Sequence, residues 1–419
     1  MRTFDSELRR LHSMSASLSA ATALSALLSF LFVVMVARAG GPNARGELAF
    51  LVALPTLLSF AATMGMEVAN LFHAGAVKVR SSLVSASIVV GTVSGSAFAA
   101  AGWVMLHLIP GWVPDSMPAS LSTWAMLTIP IITIQFLLSS LLIGGGREGA
   151  ANLIRIAMPL ISVVTFAASA ATGTSPITAA VGSWIVGQVA GAVGAIVLSI
   201  RAFGIVTPSQ QLLPFGDLFR YGLPAHGGNL ADVATFRLDS LILAASVGAA
   251  DLGIYAAAIN LAEVLLYIPS SVAMVLLPAS AVSDDPFPLA LRATLTVAVI
   301  STFGAVLMIA FAPWLIRLLF GPGFESSVTL LRILSVAMIG MGIRRVLAAE
   351  LAARRRQAVA AWIAFFTLGV MVTLDLALIP RFGAVGAVWA SFVAYLLGGG
   401  AIITLFLRLG HQRPPRTVS

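Results

Sequence analysis

Three ionisable residues stand close together in an otherwise apolar stretch near the middle of the sequence: Asp232, Arg237 and Asp239. In a membrane-spanning helix each of them costs about 2.5 to 3.5 kcal/mol at the bilayer centre. A guanidinium kept there can bind an anionic group such as a phosphate, and a carboxylate can take up and release a proton or a cation. These residues are therefore a candidate site for an anion, a proton or a small cation.

Glu263 stands in the next apolar stretch with the spacing of a partner for Arg237. A turn centred near Ala250 would join the two stretches as an antiparallel helical hairpin, with Arg237 as far before the turn as Glu263 is after it. At the α-helical rise both residues would lie roughly 20 Å from the turn, close to the middle of the membrane. We therefore predict an ion pair between Arg237 and Glu263.

Helical spacing places other polar residues of these stretches on common faces. Asp232 and Asp239 are two helical turns apart. Asn260, Glu263 and Tyr267 follow one another at the three- and four-residue intervals of one helix face. One interpretation is that both faces line a water-filled central cavity. The alternative is that a buried ion pair only fixes the register of the helices.

Two adjacent arginines, Arg344 and Arg345, stand well inside a later apolar stretch. Adjacent residues diverge by about 100° around a helix, so at most one of them can point squarely toward a cavity. That arginine would help to gather phosphate at the cytoplasmic end of the cavity. Pairing with Glu350 is the alternative.

Four further charges are expected near the ends of their helices, where long side chains can reach the membrane surface. Arg155 and Glu67 would lie near cytoplasmic ends, and Arg332 and Asp375 near outer ends. Arg155 is also kept as a candidate cavity residue, whereas no metal ligand or cofactor site is predicted. The candidate substrate or cavity residues are Arg237, Asp239, Glu263, Asp232, Asn260, Arg344, Arg345 and Arg155.

The elements that would position these side chains are membrane-spanning helices. Of the 419 residues, 59% are hydrophobic and only 10% are charged. A water-soluble surface needs roughly a quarter charged residues, and several uncharged runs exceed the ~20 residues that cross a bilayer as a helix. We therefore predict an all-α integral membrane protein. The lack of cysteine excludes disulfides, cysteine zinc sites and thiol nucleophiles.

Division of the apolar sequence at glycines, prolines and charge clusters predicts about twelve transmembrane helices. The first run, from Leu11 to Ala37, is longer than the apolar core of a cleavable signal, about 7 to 15 residues, and is interpreted as a retained span. The predicted spans are 13–36, 47–72, 82–107, 120–143, 150–171, 177–200, 219–247, 253–281, 290–312, 327–351, 357–379 and 384–408.

The distribution of Lys and Arg predicts the orientation. Most of the 24 basic residues fall on the side of the two termini, which predicts that both termini are cytoplasmic. Membrane topology thus accounts for the net charge of +8, and no nucleic-acid partner is expected.

A shift of 207 residues aligns the two halves of the sequence. It matches Gly41 with Gly248, Gly46 with Gly253, Arg147 with Arg354, Ala180 with Ala387 and Val181 with Val388. Together with the number of spans, these matches predict two parallel-repeat six-helix lobes around a central cavity, a frame for alternating access. The expected lobes are 1–204 and 219–419, joined by a linker over 205–218.

Familiar catalytic motifs are missing from the sequence. It contains no P-loop, no His-Glu-x-x-His and no Gly-x-Ser-x-Gly. We expect a transporter rather than an enzyme, without a cofactor, driven by an ion gradient or by substrate supply.

Several motifs in the second half resemble those of polysaccharide flippases of the Wzx type, in the multidrug/oligosaccharidyl-lipid/polysaccharide exporter superfamily. The resemblance is clear over roughly 215–400, whereas the first half resembles the family only in its pattern of spans. Asp375 departs from the family, which usually has Asn before the Ile-Pro segment. The matching motifs are Tyr221-Gly222-Leu223-Pro224, Arg237-Leu238-Asp239, Leu252-Gly253-Ile254-Tyr255-Ala256-Ala257-Ala258, Leu277-Pro278, Leu319-Phe320-Gly321, Phe324-Glu325-Ser326-Ser327 and Leu378-Ile379-Pro380-Arg381-Phe382-Gly383-Ala384-Val385-Gly386-Ala387.

The resemblance implies transport of a polyprenyl-diphosphate-linked oligosaccharide from the cytoplasmic to the periplasmic leaflet of a bacterial inner membrane. The product would serve O-antigen, capsule or exopolysaccharide assembly. Cationic cavity residues, proton or sodium coupling, and contacts with membrane lipids and other glycan-assembly membrane proteins are also implied. Arg237 matches a motif position.

Two other functions are alternatives. A drug or organic-cation antiporter of the same superfamily would depend on Asp239 or Glu263 more than on Arg237. A membrane glycan polymerase or ligase would require a large external loop, and the short predicted connections argue against it.

Overall fold

The computed structural model describes residues 2–108, 118–169, 172–205, 215–283 and 285–409, and all regular structure within these ranges is helical. The α-helices are α1 (Arg2–Ala62), α2 (Met66–His73), α3 (Arg80–Leu108), α4 (Ala119–Leu127), α5 (Ile129–Gly144), α6 (Glu148–Ser169), α7 (Pro176–Phe203), α8 (Phe215–Thr235), α9 (Leu238–Val247), α10 (Ala249–Glu263), α11 (Tyr267–Val282), α12 (Pro286–Leu319), α13 (Ser327–Ala353), α14 (Gln357–Phe382) and α15 (Ala384–Leu409).

These helices account for the twelve predicted spans. The helix α1 contains the first span and most of the second, because Gly41 has a positive φ of 67° and interrupts the helix between them. Helix α2 completes the second span, and the pairs α4 and α5, α8 and α9, and α10 and α11 each make up one span. Within the described ranges, nine stretches are long and apolar enough to cross a membrane, one of them running through both halves of α1. The chain is a multi-pass helical membrane protein, as predicted.

Two compact units make up the chain. The first comprises Met1–Val233 with Gly248–Gly253, and the second comprises Ala234–Val247 with Ile254–Ser419. One apolar core of the first unit is built from α2, α3, α5, α6 and α7, with Leu218 of α8. One core of the second is built from α11 to α15. The predicted lobe boundaries stay a prediction, and residues 206–214 of the predicted linker lie outside the described ranges.

Glycines matched by the repeat have matching conformations. Gly41 and Gly248 both have positive φ, 67° and 91°, a region that favours glycine because it has no Cβ. Gly46 and Gly253 pack against each other's helices so closely that a Cβ on Gly46 would lie 1.7 Å from the carbonyl oxygen of Ala249. Close packing through Gly46 therefore holds Gly248–Gly253 in the first unit.

A second pair of turns refines the repeat. The backbone N–H of Arg147 donates to the carbonyl of Leu142 at 2.8 Å between α5 and α6. The backbone N–H of Arg356 donates to the carbonyl of Leu351 at 2.8 Å between α13 and α14. Arg147 thus corresponds to Arg356, not to Arg354 as the constant shift predicted, because the second copy has two more residues before this turn.

Three transmembrane helices are interrupted beside charged residues. Residues 63–65 form a turn between α1 and α2, directly before Glu67. Phe236 and Arg237 separate α8 from α9, and the 3₁₀ turn Val264–Leu266 separates α10 from α11 directly after Glu263. Interrupted helices inside a membrane are tolerated where protein groups or water satisfy the freed backbone. The interruptions therefore mark the parts of the bundle that hold polar groups.

Candidate functional site

Asp239 occupies the first turn of α9 and is buried in the second unit. Its Oδ1 accepts hydrogen bonds from the backbone N–H of Ser240 at 2.5 Å and from the Ser240 hydroxyl at 3.2 Å. Its Oδ2 accepts a short hydrogen bond from the hydroxyl of Tyr255 on α10. Because both oxygens accept hydrogen bonds, these donors offset part of the cost of burying the carboxyl group of Asp239.

Asp375, on the neighbouring helix α14, has the opposite environment. Its side chain is completely buried, and neither carboxylate oxygen has a hydrogen-bond partner among the described residues. It interacts electrostatically with Asp239. The prediction that Asp375 reaches the outer membrane surface is wrong, because the packing of α14 against α9 and α15 encloses it.

Tyr395 of α15 completes this buried polar cluster. Its hydroxyl donates to the backbone carbonyl of Thr235 at 3.4 Å, at the point where α8 ends. We name Asp239, Tyr255, Asp375 and Tyr395 the carboxylate cluster. Two buried carboxyl groups beside each other are costly unless a proton or a cation neutralises one of them. Asp375 has unused acceptors, so the cluster can bind a proton or a monovalent cation there.

The other candidates of the central hairpin lie beside the helix interruptions. Arg237 is half-buried and interacts electrostatically with Asp239. Glu263 ends α10, is half-buried and interacts electrostatically with Tyr267. The Arg237–Glu263 ion pair stays a prediction.

Asp232 and Asn260 are both half-buried, on α8 and α10. The common face predicted for Asp232 and Asp239 assumed a continuous helix, whereas the chain is interrupted between them. That common face also stays a prediction.

The two adjacent arginines of α13 differ in their surroundings. Arg344 is buried, and its Nε lies 3.3 Å from the Sδ of Met341. Arg345 is half-buried, its Nη1 donates to the hydroxyl of Ser270 at 2.7 Å, and its Cζ lies 5.8 Å from the ring centre of Phe236. These contacts orient the guanidinium of Arg345 while leaving it partly accessible, which suits the binding of an anion.

Glu350 and Arg155 have local partners. Glu350, the alternative partner predicted for Arg344 and Arg345, forms an ion pair with Arg354 at 2.7 Å. The Nη1 of Arg155 donates to the hydroxyl of Thr22 on α1 at 2.5 Å. The hydrogen bond of Arg155 connects α6 with α1, and a cavity role for this arginine stays a prediction.

Sequence reasoning missed a buried pair in the first unit. Glu67 was expected to reach the membrane surface, but its Oε1 lies 2.9 Å from the Nδ1 of His226 on α8. The two residues are 159 positions apart, so no helical periodicity could connect them. For Asp375 a signal existed, because the residue departs from the asparagine usual in the resembling family.

No group of three or more His, Cys, Asp or Glu side chains with the geometry of a metal site occurs among the residues that the structure describes. The carboxylate cluster itself offers two carboxyl groups and two phenol hydroxyls. Hydroxyl and carboxylate oxygens suit protons and hard cations.

Solved structures with similar folds are membrane transporters. The lipid II flippase MurJ in an inward closed conformation has a TM-score of 0.76 at 15% identity, over 93% of this chain and 87% of MurJ. An inward-facing multidrug resistance MATE family transporter of the MOP superfamily has a TM-score of 0.71 at 15% identity, over 95% of this chain and 99% of the transporter. The MATE transporter VcmN of Vibrio cholerae, in its bent form, has a TM-score of 0.63 at 15% identity, over 96% and 98%.

The chain therefore has the fold of these MATE transporters and of MurJ. A search of curated proteins found no matching sequence. The profile of the family described as polysaccharide biosynthesis protein matches residues 13–283, well over half of the sequence, and the chain belongs to that family. The match includes the first half, where the motifs alone had shown only a pattern of spans.

Proposed function

We propose that this protein is a flippase that moves a polyprenyl-diphosphate-linked oligosaccharide from the cytoplasmic to the periplasmic leaflet by alternating access. Membership of the polysaccharide biosynthesis family supports a role in glycan assembly. The fold shared with a lipid II flippase and with MATE transporters supports a transport mechanism. A flippase for O-antigen, capsule or exopolysaccharide precursors combines the two roles.

The physical task explains why charges are kept inside the bundle. A diphosphate with a hydrated glycan cannot cross ~30 Å of hydrocarbon unaided, because its polar groups would lose their hydration. Arg345, oriented by Ser270 and Phe236, and Arg237, beside the interruption of the seventh span, offer cations to the diphosphate. Arginine suits this role because its planar guanidinium can bind phosphate oxygens in a bidentate manner.

The observation that carries the mechanism is the buried carboxyl of Asp375 beside Asp239, to which no residue in the described ranges donates a hydrogen bond. A proton or a monovalent cation bound there removes the cost of a second buried charge. Exchange of that ion between the two sides of the membrane would shift the balance between conformations only if the ion binds one conformation more tightly. We infer that an ion gradient drives flipping through this cluster.

The function can be tested in a bacterial strain whose own flippase has been deleted. Expression of the wild-type chain with the matching glycosyltransferases should restore surface glycan, measured by glycan-specific staining. At equal protein levels in the membrane, Arg345→Ala should restore surface glycan to about one tenth of the wild-type level or less, since losing a charged contact costs about 1.5 to 3 kcal/mol. Absence of glycan with the wild-type chain would contradict the flippase assignment.

A second candidate function is antiport of organic cations, because a multidrug resistance MATE family transporter has a similar fold. The buried carboxylates would then bind the drug or its counter-ion. This function predicts that cells expressing the chain resist cationic dyes and that Arg345→Ala retains the resistance. The flippase predicts no change in dye resistance.

We place the protein in the inner membrane of a bacterium with both termini in the cytoplasm, working beside other glycan-assembly membrane proteins. The excess of Lys and Arg on the side of the termini supports this orientation. A C-terminal green fluorescent protein fusion should fluoresce, whereas a C-terminal alkaline phosphatase fusion should be inactive. An active phosphatase would reverse the orientation.

A further inference from the structure

A glutamate and a histidine of the first unit form a close pair for which the proposed flipping mechanism has no use. The Nδ1 of His226 on α8 lies 2.9 Å from the Oε1 of Glu67 on α2, and their side chains are only 6% and 14% exposed. The pair connects the second and the seventh span. Carboxylates and imidazoles held this close and this far from solvent are costly unless they interact favourably.

Contacts on both sides hold the two side chains of the pair in place. The hydroxyl of Thr63 donates to the Oε2 of Glu67 at 2.6 Å, so both carboxylate oxygens have contacts. The ring of Phe60 stacks on the imidazole of His226, with centroids 5.3 Å apart and planes 19° apart. With a proton on each imidazole nitrogen, Glu67 and His226 are an ion pair of zero net charge. With a neutral imidazole the pair carries a buried negative charge.

The pair is located where the second span is interrupted. Met64 and Gly65 have positive φ, 51° and 83°, and form the turn between α1 and α2. About one turn before His226, the backbone of α8 lies against this turn, and a Cβ on Gly222 would lie 1.9 Å from the carbonyl oxygen of Gly65. At the interruption itself, α8 is held by a glycine contact, which has no ionisable group, and by the pair. Nearby, the ring of Tyr221 on α8 contacts Phe72 and His73 on α2.

The elements packed around the pair are α1, α2, α8 and, behind Phe60, α5 through Phe136. Helix α5 has no titratable residue. Arg220 and Asp232 each lie more than one and a half turns from His226, on other faces of α8. The titratable or charged residues whose side chains are described on the other elements are Arg38, Arg45 and Glu47 on α1, His73 on α2, and Arg220, Tyr221 and Asp232 on α8.

We propose that Glu67 and His226 form a proton-binding site that holds the beginning of α8 against the interruption of the second span when the imidazole is protonated. Imidazole is the side chain whose charge ordinarily changes between pH 5 and 8. As the pH rises, loss of the proton turns the ion pair into a hydrogen bond with a net negative charge, and the attachment weakens. The site lies within the first unit and requires no glycan substrate, so it goes beyond the proposed function.

The chain has no cysteine, so two introduced cysteines can carry the only spin labels. Suitable positions are Gly216→Cys on α8, where a Cβ meets open space, and Val77→Cys after α2, which is 73% exposed. Electron-paramagnetic-resonance distance measurements on the full chain in lipid nanodiscs at pH 5.5 and 8.5 should give a narrow distribution at pH 5.5. At pH 8.5 the distribution should broaden or shift.

In the same labelled background, His226→Gln should give the same distribution at both pH values. The control His107→Gln should keep the pH dependence, because His107 is exposed and contacts Trp103 on its own helix. A pH-independent distribution in the otherwise unchanged chain would overturn the proposal. So would a pH dependence that survives His226→Gln.

If His226→Gln does not yield folded protein, Glu67→Gln carries the test, because the amide oxygen can still accept from Thr63. The pH dependence of the distance should again be lost, and its persistence would overturn the proposal. None of these measurements involves flipping, so their failure would leave the proposed function intact.

Discussion

Asp239 and Asp375 lie on neighbouring helices of the second unit and are both buried, but among the described residues only Asp239 has hydrogen-bond donors around it. The carboxyl group of Asp239 is thereby held by protein donors, and that of Asp375 is the one that can accept a proton or a cation. This asymmetry is the basis of the proposed ion coupling.

Asp375→Asn should remove coupling without weakening the fold. The amide keeps the shape of the side chain but removes the buried charge, so we expect the unfolding midpoint in detergent to stay the same or rise. Flipping should no longer respond to an imposed proton or sodium gradient. Asp239→Asn is the matched comparison, because it puts an amide among donors from Ser240 and Tyr255 and should lower stability by about 1 to 3 kcal/mol. Gradient-dependent flipping by Asp375→Asn would refute the role of Asp375.

Tyr255→Phe should weaken the carboxylate cluster. It removes the hydroxyl that donates to Asp239 and leaves a buried carboxylate oxygen without that donor. We expect a loss of about 1 to 3 kcal/mol in the free energy of unfolding, measured by thermal or denaturant unfolding in detergent. Tyr221→Phe is the control, since Tyr221 is 42% exposed and stacks on Phe72 through its ring. Equal stability of the two variants would contradict the structural role of the Tyr255 hydroxyl.

The two arginines of α13 should differ in function. Arg345→Ala should reduce flipping at least about tenfold, whereas Arg345→Lys should retain part of the activity because an ammonium group can also donate to Ser270. Arg332→Ala, an exposed arginine on the same helix, is the control and should have little effect. These rates can be measured in proteoliposomes. Normal flipping by Arg345→Ala would exclude Arg345 from diphosphate binding.

The contact between Gly65 and Gly222 should not tolerate a side chain. A methyl group on Gly222 would lie 1.9 Å from a backbone oxygen, which cannot move away as a flexible side chain could. Gly222→Ala should therefore reduce the yield of folded protein or lower the free energy of unfolding by about 1 to 3 kcal/mol. Gly216→Ala on the same helix meets open space and should be neutral. Equal yields and unfolding midpoints would show that this contact is not as close as described.

The order and number of spans followed from the apolar runs and from the glycines, prolines and charges between them, because a bilayer requires long apolar helices and leaves few alternatives. Interruptions such as Phe236 and Arg237 were not predicted, since an apolar pattern continues through them and only packing in three dimensions breaks the helix. The repeat was found from glycines such as Gly41 and Gly248, but one constant shift could not account for two extra residues before a later turn.

The site was predicted in part. Asp239 was identified because a charge in an apolar stretch is costly, and the same argument was available for Asp375. Asp375 was assigned to the surface because its position along the helix suggested a shallow depth, whereas burial depends on which neighbours enclose it. The pair of Glu67 and His226 depends on a contact between distant parts of the sequence, which a single sequence does not encode in any local pattern.

The central claim is that this chain flips a lipid-linked oligosaccharide and uses Asp375 to couple that movement to an ion gradient. The most direct measurement reconstitutes the purified chain in proteoliposomes with a fluorescent polyprenyl-diphosphate oligosaccharide and follows the label that becomes inaccessible to a membrane-impermeant quencher. The account predicts flipping by the wild-type chain that accelerates under a proton or sodium gradient, and no acceleration for Asp375→Asn. No flipping by the wild-type chain, or equal acceleration in both proteins, would contradict it.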